Sequence, residues 1–251
     1  MLKLIKYELR KTWFTKVILL VIAALAEIAF LVGLYGNREN TLVVSIVLLT
    51  ILAVGGVMVI GLESVITLHR DMNTKQSYML FMTPNSCYRI LGAKLIECGI
   101  SILLAGAFFF ALGTLDLTLL FAREGILGRL WEQIREILSH LTVNGRALEL
   151  TMRSMAAVTF DLLAAWIFFV STAYLAVVIS AALLNGKKYN GLVSFLIFLL
   201  LDWGCTHINT LITDPIRDNV TLMTVYGLIA LLFAAGMYFA TAVIMERKLS
   251  V

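Results

Sequence analysis

Residues 41–68 read TLVVSIVLLTILAVGGVMVIGLESVITL. Glu63 is the only charge in that run, and apolar side chains follow one another instead of occupying every second position. A helix needs about 20 mostly apolar residues to cross the hydrocarbon core of a bilayer. A strand of a membrane barrel alternates apolar and polar residues over ~10 positions, which this run does not do. Residues 41–68 therefore read as a membrane-spanning helix.

Working outward, the same criterion selects 17–35 before it and 96–121, 155–184, 191–210 and 221–244 after it. The spans at 41–68, 96–121 and 155–184 are long enough to tilt or to project beyond the lipid. The expected fold is all-α: a polytopic membrane protein with six transmembrane helices. Composition agrees, at 61% hydrophobic and 14% charged residues, against about 45–50% and about 25% in soluble domains. In such a chain a net charge of +4 is no footprint for nucleic acid. It reports how charges sort across the membrane.

With the N-terminus in the cytoplasm, thirteen basic residues lie inside and seven outside, and every lysine is inside. Both termini are then cytoplasmic, as an even number of spans requires. Within 1–14, Leu2, Ile5, Leu9 and Trp13 recur at helical spacing while Lys3, Lys6 and Arg10 take another face. This suits a helix lying in the membrane interface rather than a secretory signal. On the outside, 122–154 is the largest loop. Ile126, Leu130, Ile134, Ile137 and Leu141 mark an amphipathic helix, Asn144-Gly145 a turn, and Arg146 the start of a helix running into the fourth span.

Catalytic motifs are missing. No GxxxxGK[ST] loop, HExxH or GxSxG is present, and His69, His140 and His207 lack metal spacing. The expectation is a chain that is not an enzyme and binds no metal. Cys87, Cys98 and Cys205 form no CxxC pair and read as small buried residues. Acids in the spans are the conspicuous polar groups. Glu27, Glu63 and Asp202 lie deep, and each is costly in lipid, so they are candidates for a transport path. Glu97, Asp116 and Asp161 lie nearer the span ends, where headgroups or water come within reach. Phe108, Phe109, Phe110, Phe168, Phe169 and Phe195 would suit apolar cargo, though aromatic residues in spans mostly pack.

The inner loop 69–95 contains HRDMNTKQSYMLFMTPNSCYRILGAK from His69 to Lys94. Asn73 followed by Gln76 resembles a capped helix start. Tyr78, Met79, Leu80, Phe81 and Met82 form an apolar cluster, and Thr83-Pro84 ends one helix and opens the next, which carries Arg89 and Lys94 into the third span. A short helix with an apolar-aromatic face and flanking bases can lie in a groove of a soluble partner.

The order of these features resembles the permease subunit of ABC-2 type transporters. The residues that carry the likeness are Arg70-Asp71, Lys75, Tyr78-Met79-Leu80, Thr83-Pro84-Asn85-Ser86 and Lys94, with Ser77 where the family often has Gly and Met82-Thr83 where it often has Thr-Leu. The resemblance implies a coupling helix at Asn73–Met82, with Asn73, Lys75, Gln76, Tyr78, Met79, Phe81, Met82 and Pro84 meeting a separate ABC ATPase subunit. That partner would bind ATP and Mg, since this chain has no site for them. It further implies a second permease copy or paralogue, a multi-pass place in the bacterial plasma membrane, and export of a peptide antibiotic, drug or lipid-linked molecule. A proton- or cation-coupled secondary carrier using the intramembrane acids is the alternative. No internal repeat is evident.

Overall fold

The computed structural model describes residues 2–36, 38–73, 86–126, 128–129, 131–132, 135, 145–184 and 189–248. Its helices are α1 (Leu2–Lys11), α2 (Trp13–Tyr35), α3 (Glu39–Asn73), α4 (Cys87–Arg123), α5 (Gly145–Leu184), α6 (Asn190–Thr213) and α7 (Asn219–Lys248). Among the described residues there is no strand, and six helices, α2 to α7, are long and apolar enough to cross a membrane.

The six expected spans fall on these six helices, and every helix is longer than its apolar run. The third begins at Cys87 instead of residue 96, and the fourth at Gly145 instead of 155. An apolar run measures the lipid, whereas a helix continues for as long as its backbone bonds continue. The segment carrying Arg89 and Lys94 is thus the first part of α4, with the Ser86 carbonyl accepting from Arg89 and Ile90 at 2.9 and 3.3 Å. The N-terminal helix ends at Lys11, so Trp13 belongs to α2 and not to the helix expected over 1–14. Thr12 stands at the break and turns its hydroxyl back to the Glu8 carbonyl at 3.3 Å.

The chain divides into two units, residues 1–63 with 96–143 and residues 64–95 with 144–251. In the first, Ala26, Phe30 and Leu34 of α2 pack with Leu49 of α3, and Leu112, Leu119 and Leu120 of α4 close the edge. Gly33 lets α2 and α3 approach closely: a Cβ there would stand 2.8 Å from the Leu42 backbone nitrogen. At the end of α4, Gly125 has φ +65°. Its N–H reaches the Ala122 carbonyl at 3.3 Å and that of Ile126 reaches Phe121 at 3.1 Å. This is a Schellman cap, which needs the left-handed residue that glycine supplies.

In the second unit α5 is the central helix. Of its most apolar window 67% is buried, against 6% for α6. It packs on both α6 and α7, around Phe168, Leu175, Ala230, Ala234 and Met237. Small residues allow this approach, as is common between helices in lipid. α7 opens on Asp218, whose carboxylate accepts from the backbone N–H of Thr221 at 3.0 Å and from its hydroxyl. These two bonds hold the Asp218 carboxyl below its ordinary value.

Candidate functional site

Of the segment expected to form a coupling helix, only the flanking stems belong to the described residues. Residues 74–85 lie outside those described, and with them Lys75, Gln76, Tyr78, Met79, Phe81, Met82 and Pro84. Asn73 is the last residue of α3, so it closes a helix where the sequence suggested an opening. Most of the expected amphipathic helix at 126–141 is likewise outside the described residues.

The stems themselves are tied together. Lys94 of α4 donates to the Asp71 carboxylate of α3 at 2.8 Å, with side chains 2% and 3% exposed. Both charges belong to the motif that brackets the loop. Close by in sequence, the Ser64 and Tyr174 hydroxyls share a hydrogen bond that joins α3 to α5. The Tyr238 hydroxyl donates to the Tyr88 carbonyl at 2.6 Å, joining α7 to α4, and the two rings lie 6.5 Å apart. Both entrances to the loop are therefore held by buried or partly buried polar bonds within one unit. In lipid such bonds matter because an unmet polar group has no water to turn to.

A second cluster lies in the other unit. Glu97 was expected to reach headgroups or water; it is instead 4% exposed. Its Oε1 accepts from Lys16 at 2.8 Å, Ser101 at 2.8 Å and Thr12 at 3.0 Å. Lys16 spends its other N–H groups on Thr12 at 2.9 Å and Ser101 at 2.6 Å. Beside them the Thr15 hydroxyl donates to Glu63 Oε1, while Glu63 Oε2 is buried without a hydrogen-bond partner. The sequence signal, missed, was two polar pairs at i and i+4, Thr12 with Lys16 and Glu97 with Ser101, on helices otherwise apolar at those depths.

The third feature is a pair of acids. Glu27 of α2 and Asp116 of α4 neighbour each other in the first unit, and each has one buried oxygen without a hydrogen-bond partner. Asp116 also lines a groove of about 320 Å³ with Phe30, Thr50 and Phe109. Of the three path candidates, Glu27 and Glu63 belong to the first unit, and Asp202, half-buried on α6, to the second.

The aromatic residues do not make one wall. Phe168 is buried in the α5–α7 core, Phe169 stacks on Trp166, and Phe110 and Phe195 are exposed. Cys87 and Cys98 are buried. Among the described residues no group of His, Cys, Asp and Glu could hold a metal ion. Compared with family models, curated proteins and solved structures, the chain matches none.

Proposed function

We propose that the chain is the permease subunit of an ATP-driven ABC-2 type exporter, working with a second permease and a separate ATPase. The Asp71–Lys94 bond carries this reading. A loop that receives force must pass it to the spans on either side, and a buried ion pair between α3 and α4 makes the loop's two stems move as one. Both residues fall at the positions where the sequence resembles the coupling segment of that family. ATP and Mg would be held by the partner, and the cargo would be hydrophobic or amphipathic.

The test is retention of the ATPase. Tyr78→Asp with Phe81→Asp places two carboxylates on the apolar face of the loop, and an interface anchor lost in this way costs ~2 kcal/mol or more. Expected is loss of at least ~30-fold in ATPase binding, with the permease still folded by circular dichroism. Unchanged co-purification refutes coupling at this segment.

The Glu27–Asp116 pair favours a second reading, a proton- or cation-coupled carrier. Two neighbouring acids on adjacent spans, each with a buried oxygen that lacks a hydrogen-bond partner, are groups that could bind and release a proton or cation during transport. Purified protein alone in liposomes then moves substrate under a proton gradient, and Glu27→Gln abolishes that movement. Transport that needs the ATPase and survives Glu27→Gln rules the carrier out.

A further inference from the structure

We propose that the first unit carries a resident anionic phospholipid, its headgroup on the basic face of α1 and one acyl chain in the cavity below. This inference stands on its own and does not depend on the ATPase. The cavity holds about 410 Å³ and is bounded by α1, α2, α3 and α4. Leu9 and Trp13 form its end near α1, and Leu104 and Phe108 lie deeper. Among the described residues its polar lining is Lys16 and Ser101. Those two are already engaged with each other and with Glu97, so they offer no counter-ion to a ligand.

The charge for a head lies elsewhere. Lys3 and Lys6 lie one turn apart on the basic face of α1, which borders the apolar face that carries Leu9. Both lysines are exposed, whereas the one acid of α1, Glu8, is 6% exposed and buried. A row of cations therefore runs beside the face of the helix that forms the end of the cavity. A phosphate head joined to a hydrocarbon chain has the same order of parts.

Size selects the occupant. Pockets for small ligands run from about 300 to 1,000 Å³. The cavity is of that order and almost wholly apolar along its walls, which suits one acyl chain. A headgroup alone would leave the apolar cavity unfilled, which argues against a free phosphate.

Trp13 lines the cavity and reports on it. The full chain, with Trp131, Trp166 and Trp203 changed to Phe, is placed in nanodiscs of phosphatidylcholine containing a minor share of brominated lipid. Brominated phosphatidylglycerol should quench Trp13 several-fold more than brominated phosphatidylcholine at the same mole fraction. Lys3→Gln with Lys6→Gln, on an exposed face, should abolish that preference, since each base contributes up to roughly fivefold, while leaving quenching by phosphatidylcholine unchanged. Ala105→Phe, which fills the cavity, should remove the excess quenching by phosphatidylglycerol and leave only the quenching that Trp13, 65% exposed, receives equally from surrounding lipid. If that variant does not fold, the lysine variant decides alone. Equal quenching by the two lipids, or a preference that survives loss of both lysines, overturns the proposal. So does full displacement of the lipid by soluble glycerol phosphate, which would mean an anion site that has no use for a chain.

Discussion

Lys94→Met should lower the stability of the purified protein by about 3–5 kcal/mol, the cost of removing one partner from a buried ion pair. The Lys94 and Asp71 side chains are 2% and 3% exposed, so neither can exchange its partner for bulk water. Taking two charges into a low dielectric is itself unfavourable, and the intact bond does little more than offset that penalty. Removing the lysine keeps the penalty for Asp71 and discards its main compensation. For a chain of this length each kcal/mol shifts the midpoint by ~2–4 °C, so melting in detergent should fall by about 10 °C. Asp71→Leu combined with Lys94→Met should recover most of the loss, because a matched apolar pair carries no desolvation cost. Single and double variants with the same midpoint would show that the two charges are not buried against each other. On the proposed permease function, the same single variant should also uncouple the partner's ATPase activity from transport, since the ion pair between the two stems is lost.

Gly33→Ala should have the next largest effect. The added carbon would sit 2.8 Å from the Leu42 nitrogen and 2.9 Å from its Cα. These are backbone atoms of α3, not the end of a flexible side chain, so the two helices must part for the methyl group to fit. Overpacking of this kind costs about 1–3 kcal/mol. Alanine is the better helix former by up to ~1 kcal/mol, and the clash outweighs that gain because Leu42 is fixed by its own bond to the Arg38 carbonyl at 3.0 Å. Gly106→Ala is the control. Nothing lies within 4 Å of the carbon it would add, so only the propensity term acts, and the protein should be unchanged or slightly more stable. Equal melting temperatures for the two alanine variants would contradict the close approach of α2 and α3.

The sequence alone determined that the chain is helical and where its six apolar helices lie. A run such as 41–68 leaves no other way to satisfy backbone N–H and C=O groups in lipid. It also marked out the unusual acids, and the charged residues that bracket the inner loop. It did not reveal that α4 begins at Cys87, because apolar length stops where water begins while a helix continues through Arg89 and Lys94. Nor did it show that Glu97 is met by Lys16 or Asp71 by Lys94. Each of those partners lies on a different helix, and periodicity reports only which residues share a face of one helix. In water the buried face is betrayed by its apolar side chains. In lipid, residues that pack and residues that meet acyl chains are of the same kind, so which side of each helix is covered, and by which neighbour, was decided only by tertiary packing.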